Sequence, residues 1–445
     1  MNKLAALATL VRHYRLTRNN RLLRGDALRH YQDALAHRTI RYAIEKSPFY
    51  RSYFASLDVA NWRNFPTIDK NIMMAHFDDF TTRGVRLDDA MKLALDGERS
   101  RNYSPSLGDL TVGLSSGTSG HRGLFLVDPR ERASWAGSIM ARVLPGLRRQ
   151  GFRVLLFLRS GSNLYDTVGS RWLQFRFCDL MTPLAEAVKM LNEFQPDILV
   201  APPSMLTMLA AEQTSSRLKL TPMKVISVAE VLDPADETSI AEAFGGRVHQ
   251  IYQCTEGLLA ATCEAGNLHV LEDCVSLQYE PIGEDTSRVS PVVTDLWRRT
   301  QPIIRYRLND ILILESSPCP CGSGFQRIAR IEGRQDDVLY FANSDGVMRP
   351  VFPDVFRRIA LLASEFIRDY EIVQEQPGAL CVYFAARNES VGSSADIIEH
   401  VEQALRISAK TVLEYYGCTA ETIRIVHGLP HRDPHQKRRR VRRTG

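Results

Sequence analysis

The alternation of short apolar runs with helical segments between residues 154 and 252 limits the fold more than any other feature of this sequence. Four apolar runs predict buried strands, at residues 154–158, 197–201, 225–229 and 248–252. Between these runs, apolar residues recur with the spacing of a helix at residues 184–194, 204–213 and 236–244. Strands separated by such helices predict a parallel, doubly wound sheet. Sheets of this kind hold their ligands at the carboxyl ends of the strands.

The rest of the chain predicts a second, smaller domain. With 445 residues, the chain is longer than single domains usually grow. We therefore predict an α/β protein with a large N-terminal domain over residues 1–335, which begins with a helical segment over about residues 1–80. After residue 335 the pattern changes to mixed strands and helices. This change predicts a small, mobile α+β domain over residues 336–445.

A run of hydroxyl residues and glycines follows an apolar pair. Its members are Ser115, Ser116, Gly117, Thr118, Ser119 and Gly120. Glycines let backbone amides close around phosphate oxygens, and the hydroxyls add hydrogen bonds, so the run suits a polyphosphate. A flexible loop has the same composition. The run lacks the lysine of a Walker loop, which disfavours an ordinary P-loop NTPase.

Tyr252, Thr255 and Glu256 follow one another at the end of a predicted strand. The ring suits stacking on a base, the hydroxyl suits a phosphate, and the carboxylate suits Mg²⁺, which prefers oxygen ligands. A strand end followed by a turn with a solvated glutamate explains the same residues. The segment is thus a candidate nucleotide and magnesium site.

Three later residues are candidates for contacts with the same nucleotide. Asp310 follows a basic and aromatic strand, and its two carboxylate oxygens suit a ribose diol, although an aspartate there also suits a turn. Arg334 lies where the composition changes, in a segment that suits an interdomain hinge and a phosphate or ribose contact. Lys437 suits charge that develops on a phosphate during transfer, and it also suits a disordered basic tail.

Cysteine and histidine residues suggest a metal site. Cys319 and Cys321 form a short chelating pair, and Cys263 and His269 lie six residues apart. Three thiolates and an imidazole are zinc ligands and would complete a closed structural tetrahedron. The spacing differs from a standard zinc finger, four reduced residues in loops are the alternative, and Cys274 is the first substitute for a wrongly assigned ligand.

Taken in this order, the segments resemble the adenylate-forming superfamily, which includes acyl-CoA synthetases, peptide-synthetase adenylation domains and luciferases. Within it the chain resembles the phenylacetate-CoA ligase branch and its deazaflavin-adenylylating relatives. Two N-terminal motifs carry this likeness, Lys-Ser-Pro-Phe-Tyr at residues 46–50 and Phe-Pro-Thr-x-x-Lys at residues 65–70. The resemblance extends from about residue 30 to residue 441.

The resemblance implies ATP-dependent activation of a carboxylic acid, an aryl acid by analogy with the branch, to an acyl-AMP, and transfer of the acyl group to a thiol. The pocket for the acid would be lined by residues between about Phe157 and Tyr252, including Leu164, Tyr165 and Trp172. The thiol would belong to CoA or to the phosphopantetheine of an acyl carrier protein. It implies that residues 115–120 hold the phosphates, that Tyr252 stacks on adenine near Glu230, and that Thr255 and Glu256 handle phosphate and Mg²⁺. It further implies a ribose contact by Asp310, a pivot at Asp336 and catalysis by Lys437. Members of the branch also have cysteines near the positions of the candidate zinc ligands.

The chain departs from the family pattern at three positions. Val228 stands where glycine is frequent, Asn309 replaces the glycine of the usual Gly-Asp pair, and Gln436 replaces the customary glycine before the lysine. None removes a charged catalytic group, so we expect activity with an unconventional substrate. Two other functions stay open: an adenylyltransferase that places AMP on a cofactor hydroxyl, and an inactive nucleotide-binding protein.

The charge distribution and the cysteines bear on the binding partners and on the cellular compartment. The formal charge is +5, and six Lys and Arg residues lie within residues 437–445. Such a run suits a solvated tail or the acidic surface of a carrier protein, and we expect no nucleic-acid partner. Eight dispersed cysteines without a secretory signal favour reduced thiols in a cytoplasm. No apolar run reaches the roughly 18–20 residues that span a bilayer.

Overall fold

A computed structural model of the chain describes residues 3–114, 123–146, 148–158, 172–283, 285–364, 366–386, 394–431 and 439–444. The chain divides into two compact units. The larger comprises Met1–Leu308 and Leu312–Arg330, and the smaller comprises Asn309–Ile311 and Ile331–Gly445. Within the described residues, no helix is both long enough and apolar enough to cross a membrane.

The larger unit begins with helices, as the sequence predicts for its first residues. These are α1 (Lys3–Asn20), α2 (Gly25–Lys46), α3 (Pro48–Tyr53), a 3-10 helix (Val59–Asn64), α4 (Lys70–Ala75), α5 (Phe77–Phe80) and α6 (Leu87–Ser100). The two N-terminal motifs form helix starts. The side chains of Ser47 and Asp69 accept hydrogen bonds from the amides of Tyr50 and Ile72, which are otherwise unpaired at a helix start.

A hairpin and a capped helix lead into the main sheet. Strands β1 (Thr111–Leu114) and β2 (Leu124–Val127) pair antiparallel, and α7 (Pro129–Val143) follows. The side chain of Asp128 accepts hydrogen bonds from the start of α7, while Glu131 accepts one from the Asp128 amide. This reciprocal pair is a capping box. The predicted phosphate-binding run at residues 115–120 lies outside the described residues.

The predicted strand and helix alternation is confirmed, and it contains one further parallel strand, at Leu173–Asp179, that was not predicted. It comprises β3 (Phe152–Leu158), β4 (Leu173–Asp179), α8 (Leu184–Phe194), β5 (Ile198–Ala201), α9 (Pro203–Thr214), β6 (Lys224–Val228), α10 (Pro234–Phe244) and β7 (Val248–Cys254). The strands are parallel in the order β4-β3-β5-β6-β7. Leu155 and Leu199 pack in one apolar cluster, and their neighbours Leu156 and Val200 pack in another. Both faces of the sheet are therefore covered, as in a doubly wound fold.

Antiparallel strands extend this sheet beyond β7, and among them only the basic and aromatic strand before Asp310 was predicted. They are β8 (Gly257–Thr262), β9 (Leu268–Val270), β10 (Val275–Ile282), β11 (Asp285–Asp295), β12 (Tyr306–Arg307), β13 (Asp310–Glu315) and β14 (Arg327–Arg334). The order across the described sheet is β10-β11-β13-β14-β9-β8-β7-β6-β5-β3-β4, with β12 beside β11. The predicted α/β class is correct, and the parallel strands occupy one side of the sheet.

The smaller unit has the predicted α+β composition. It contains β15 (Leu339–Asn343), β16 (Met348–Val351), α11 (Pro353–Ala363), β17 (Ile367–Gln374), β18 (Ala379–Ala386), α12 (Ser394–Tyr415), β19 (Cys418–Thr419), β20 (Thr422–His427) and β21 (Val441–Arg443). Two sheets form, in the orders β16-β15-β19 and β20-β18-β17-β21. Phe341, Phe356 and Phe384 are fully buried in one core that both helices help to form.

Candidate functional site

Neighbouring parallel strands end at one edge of the large sheet, and three candidate site residues follow them. Strand β6 lies between β5 and β7, and Val228 at its end pairs with Ile251 of β7. Glu230 comes two residues after β6, and Thr255 and Glu256 come directly after β7. The carboxyl ends of parallel strands meet at one edge, so the fold brings these residues to the edge that ordinarily receives a ligand.

The segment Tyr252–Glu256 forms the end of β7 and a tight turn into β8. Cys254 pairs with Gly257, so Thr255 and Glu256 form the tip of the turn. The Thr255 hydroxyl donates a hydrogen bond to the Glu256 carboxylate at 2.8 Å. The Arg298 guanidinium donates to the Thr255 carbonyl oxygen and, at 2.9 Å, to the Gln301 side-chain oxygen. These hydrogen bonds fix the turn. Neither Arg298 nor Gln301 was predicted from the sequence.

Tyr306 stands beside the Glu256 carboxylate and is 2% exposed. Burial raises the pKa of the Tyr306 phenol, and the charge of Glu256 raises that pKa further. The phenol therefore stays protonated at neutral pH. Glu256 is half-buried, so its carboxylate is partly accessible. A half-buried carboxylate with oxygen-rich neighbours can ligate a hard cation such as Mg²⁺.

Glu230 connects the end of β6 to the start of α9. Its carboxylate accepts a hydrogen bond from the Ser204 amide at 3.3 Å, in the first turn of α9. Its own amide donates to the Val228 carbonyl oxygen at 2.8 Å. Between them, Ala229 has a φ of +67°, a left-handed conformation that costs energy for a residue with a Cβ atom. The strained residue is thus next to Val228, the position of one departure from the family pattern.

In the smaller unit, the structure brings together Asn309, Asp310, Arg334 and Asp336. The Arg334 guanidinium lies 3.5 Å from the Asp310 carboxylate. The Asn309 amide group donates to the Asp336 carboxylate at 2.7 Å, and the Gln335 amide donates to the Asn309 carbonyl oxygen at 2.7 Å. The predicted ribose ligand, the predicted nucleotide-binding arginine and the predicted pivot are therefore linked to one another.

The catalytic lysine candidate, Lys437, lies outside the described residues. The description resumes at Arg439, whose guanidinium donates to the Asp337 carboxylate. Burial raises the pKa of Asp337, and the charge of Arg439 opposes this change. The chain two residues after Lys437 is therefore anchored next to the predicted pivot, Asp336, within the smaller unit.

Trp172, which the family resemblance assigns to the lining of the acid pocket, lies elsewhere in the larger unit. Trp172 immediately precedes β4, and Phe152 at the start of β3 pairs with Leu173. The Trp172 indole donates to the Arg148 carbonyl oxygen at 2.6 Å and packs edge-on against the Phe152 ring. Trp172 is therefore at the amino ends of the parallel strands, opposite the edge that receives a ligand, and its assignment to the pocket was wrong. Leu164 and Tyr165, the other named lining residues, lie outside the described residues.

The four predicted metal ligands form a compact cluster in the larger unit. The ligand atoms of Cys263, His269, Cys319 and Cys321 all lie within 4.8 Å of one another. The Sγ atoms of Cys263 and Cys319 are 3.7 Å apart, and Cys321 Sγ is 3.5 Å from His269 Nε2. In tetrahedral zinc with Zn–S near 2.3 Å and Zn–N near 2.0–2.1 Å, such pairs lie about 3.8 Å and about 3.6 Å apart. The donor set and its spacing therefore fit zinc.

The surroundings of the cluster also suit a metal. The other ring nitrogen of His269, Nδ1, is 3.0 Å from the Phe325 carbonyl oxygen, a contact that orients a metal-binding imidazole. The Asn267 side chain and the Ser323 amide donate to the sulfur atoms of Cys319 and Cys321, at 3.2 and 3.5 Å. Cys274, the alternative ligand, lies elsewhere: its thiol contacts Ser138 and Arg142, and burial raises its pKa to about 12.

Comparisons with known proteins confirm the predicted resemblance to adenylate-forming ligases. No family model matches the sequence. In fold, the chain is similar to a 2-hydroxyisobutyryl-CoA ligase in its postadenylation state, with a TM-score of 0.71, 18% identity and coverage of 95% of this chain and 91% of the ligase. It is also similar to an anthranilate CoA ligase in complex with anthranoyl-AMP, with a TM-score of 0.51, 15% identity and coverage of 73% and 65%.

Sequence comparisons point to one group of ligases more narrowly than the fold comparisons do. The chain is 24% identical to a phenylacetate-coenzyme A ligase of Pseudomonas putida over 383 residues, which cover 78% of each protein. It is 26% identical to the corresponding ligase of Thermus thermophilus over 208 residues, which cover 43% of this chain and 45% of that protein. The chain therefore matches less than half the length of the Thermus ligase. These relatives confirm the resemblance to the phenylacetate-CoA ligase branch.

Proposed function

We propose that this protein is an ATP-dependent acid–thiol ligase that forms an acyl-AMP intermediate. The arrangement of Glu230, Thr255 and Glu256 at the carboxyl edge of β6 and β7 carries the proposal. These residues stand on a fold that is shared with ligases captured together with their acyl-AMP products. An edge of this kind receives nucleotides in doubly wound sheets, and the side chains supply the hydroxyl and carboxylate groups that a metal-bound polyphosphate needs.

In the first half-reaction, an oxygen of the substrate carboxylate attacks the α-phosphorus of ATP. A bond forms between that oxygen and the α-phosphorus, the bond to the bridging oxygen breaks, and pyrophosphate leaves. Glu256, with Thr255 beside it, would hold Mg²⁺, which neutralises phosphate charge. Ser115, Ser116, Gly117, Thr118, Ser119 and Gly120 would bind the β- and γ-phosphates through backbone amides and hydroxyls. Lys437 would donate hydrogen bonds to the oxygens that gain negative charge.

In the second half-reaction, the sulfur of a thiol attacks the acyl carbon, the bond between that carbon and the phosphate oxygen breaks, AMP leaves, and the thiol proton passes to solvent. The proposed pivot, Asp336, would allow the smaller domain, residues 336–445, to withdraw Lys437 between the two steps. The Asn309–Asp336 hydrogen bond of 2.7 Å supports this assignment, because a pivot needs a defined resting geometry. Asp310 and Arg334 would bind the ribose, Tyr252 would stack on the adenine, and Glu230 would lie near the adenine.

We propose an aromatic carboxylic acid as the substrate. Sequence relatives are phenylacetate-coenzyme A ligases, and a structural neighbour holds anthranoyl-AMP, so aryl acids recur among similar proteins. The acceptor is CoA or a carrier-protein phosphopantetheine. The basic residues at 437–445 suit the acidic surface of a carrier, whereas the relatives named above are CoA ligases.

We further propose that Cys263, His269, Cys319 and Cys321 bind a structural zinc ion. Four protein ligands leave no open position for a substrate, which distinguishes a structural site from a catalytic one. Cys263 follows β8, the strand that begins at the Thr255–Glu256 turn, so the metal would hold the far end of the hairpin that presents this turn. The zinc would fix the hairpin without entering the reaction.

Product analysis tests the proposed function. Purified protein is incubated with ATP, Mg²⁺ and each acid of an aryl and aliphatic panel, together with either CoA or a phosphopantetheinylated carrier protein. We expect AMP, pyrophosphate and one thioester, with one acceptor preferred. An AMP adduct of a hydroxyl compound, without any thioester, would instead indicate an adenylyltransferase. Absence of pyrophosphate with every acid would contradict the proposal.

A further inference from the structure

Helix α1 presents an apolar stripe on its outer side. Leu4 is 79% exposed, Leu7 57% and Val11 37%, and Ala8 is also exposed. Spacings of three and four residues place these side chains on one face of a helix. Three large apolar residues on one face form a patch, in contrast to the single exposed apolar residues that are common on protein surfaces.

The opposite side of α1 is firmly packed on α7. A Cβ atom added at Gly137 in α7 would lie 2.2 Å from the Leu10 carbonyl oxygen, so the two helices approach as closely as glycine allows. His13 and Thr17 are buried on this inner side. Helix α1 is therefore fixed to the larger unit through α7. Because that packing covers the inner side of α1, the apolar stripe on the other side faces outward.

Positive charge continues from the stripe. Residues 3–25 contain six Lys and Arg residues and no Asp or Glu. Five of these cations lie beyond the stripe, and all five are exposed. They are Arg12, Arg15, Arg18, Arg21 and Arg24. The helix thus has an exposed apolar part followed by an exposed cationic part.

A second group of arginines lies next to Arg12. The Arg38 guanidinium stacks over the Trp297 ring at 5.2 Å, and the Arg299 guanidinium stacks over the Tyr42 ring at 4.8 Å. Arg38, Arg41 and Arg299, together with the single carboxylate Glu45, line a surface groove of about 470 Å³. Burial lowers the pKa of Arg38, and the charges of Arg299, Arg12 and Arg130 lower it further. Within the described part of the chain, neither Arg38 nor Arg299 forms an ion pair with a carboxylate.

We propose that this α1–α2 face, defined by Leu4, Leu7, Val11, Arg12, Arg15 and Arg38, binds the surface of an anionic lipid bilayer. An amphipathic helix at a bilayer surface inserts its apolar residues at the headgroup boundary. Its arginines reach the anionic headgroups, and a fixed cluster of cations gains most from a surface of opposite charge. The binding is peripheral. It extends beyond the proposed ligase function and does not depend on it.

The apolar stripe is the reason for preferring a bilayer to a soluble acidic protein. An acidic protein surface would neutralise the arginines. However, cores of protein interfaces are depleted of charge and seat their apolar anchors in pockets, whereas this face combines protruding leucines with a surface in which cations outnumber carboxylates. An anionic bilayer satisfies both features at once, because it offers apolar chains beneath a charged plane.

Vesicle cosedimentation of the full chain tests this proposal. Vesicles of phosphatidylcholine alone are compared with vesicles that also contain phosphatidylglycerol. We expect binding to the anionic vesicles only, and release at high salt because the charge attraction is screened. Leu7→Ser should weaken binding by about tenfold, since a leucine buried at the boundary contributes about that factor. Arg15→Gln combined with Arg18→Gln should weaken it by about tenfold or more.

Matched controls are available in the smaller unit. Ile407 is 66% exposed on α12, and Lys410 is exposed on the same helix. Ile407→Ser and Lys410→Gln should leave vesicle binding unchanged, and the α1 variants should keep the wild-type melting temperature. The proposal is overturned by equal binding to both kinds of vesicle, by no binding to either, or by equal binding of the α1 variants. Binding of an acidic carrier protein, or self-association through α1, in place of vesicle binding would also overturn it.

Discussion

At the scale of single residues, Glu256 is the most direct test of the site. We expect Glu256→Gln to lower the rate of acyl-AMP formation by about 100-fold, the usual effect of removing one group that stabilises transition-state charge. The measurement is pyrophosphate release with the acid that the panel identifies. Glu186→Gln, a change on the exposed side of α8, provides the control and should retain the full rate. Equal rates for the two variants would remove Glu256 from the catalytic site.

His13 determines part of the pH dependence of stability. Burial lowers its pKa from 6.5 to about 4, and the charges of Arg12, Arg130 and Arg38 contribute to this decrease. The folded protein therefore keeps His13 neutral, whereas the unfolded chain takes up a proton below pH 6.5. Stability from this residue is present above pH 6.5 and is lost as the pH falls towards 4. Linkage gives a loss of about 2 kcal/mol between pH 7 and pH 5.

Urea unfolding at the two pH values measures this contribution. We expect the free energy of unfolding of His13→Gln to decrease less between pH 7 and pH 5 than that of the wild type. His400→Gln removes an exposed histidine and serves as the control, so it should follow the wild-type dependence. The same pH dependence for His13→Gln and wild type would show that His13 is not the titrating group.

The sequence predicted the site residues unevenly, for reasons that are visible at this scale. Thr255 and Glu256 were predicted because they follow an apolar strand, whereas Glu230 was predicted only through the family resemblance; all three follow the carboxyl ends of neighbouring parallel strands. Arg298 and Tyr306 were missed because each is far along the chain from Thr255 and Glu256. Only the pairing of β11 with β12 and the packing of the larger unit bring them near the turn. A pattern within one strand contains no information on such contacts.

At the scale of elements, the parallel strands that helices separate were predictable, and most of the antiparallel strands of the large sheet were not. Strands β3, β5, β6 and β7 are separated by helices with clear apolar spacing, so each is bounded by a change of period. Strands β8 to β14 follow one another without helices, and several have mixed burial. Trp172 was misplaced because an aromatic residue in a loop gives no indication of which end of the sheet the loop joins.

The contact between α1 and α7 depends on Gly137. We expect Gly137→Ala to destabilise the protein by about 1–3 kcal/mol, because its Cβ atom would meet the Leu10 carbonyl oxygen and force the helices apart. A Cβ atom at Gly246 meets nothing within 4 Å, so Gly246→Ala is the matched control. Differential scanning calorimetry should show a lower melting temperature for Gly137→Ala only. Equal melting temperatures would mean that the helices separate without cost.

The proposed zinc ion joins β8 and β9 to the segment between β13 and β14. We expect about one zinc per chain, and clearly less in Cys263→Ser and Cys321→Ser, because each removes one of four ligands. Cys274→Ser should keep its zinc, since Cys274 contacts Ser138 and Arg142 instead. Mass spectrometry of metals after gel filtration measures the content. Zinc loss in Cys274→Ser but not in Cys321→Ser would contradict the assignment.

At the scale of the whole molecule, the chain divides into two compact units, and each contains candidate site residues. Thr255 and Glu256 lie in the larger unit, and Asp310 and Arg334 lie in the smaller one. From the sequence, the change of composition near residue 335 predicted a domain boundary there. It could not reveal that Asn309–Ile311 belong to the smaller unit, because this segment interrupts the larger unit and its placement depends on contacts with Arg334, Gln335 and Asp336.

The central claim is that this protein activates a carboxylic acid as its acyl-AMP. Its most direct test is the exchange of labelled pyrophosphate into ATP, measured across the acid panel for the wild type and for Lys437→Ala, with Lys410→Ala as the control. We expect exchange that requires one acid class, is retained in Lys410→Ala and falls by about 100-fold or more in Lys437→Ala. No acid-dependent exchange in the wild type would contradict the claim, and undiminished exchange in Lys437→Ala would contradict the role assigned to Lys437.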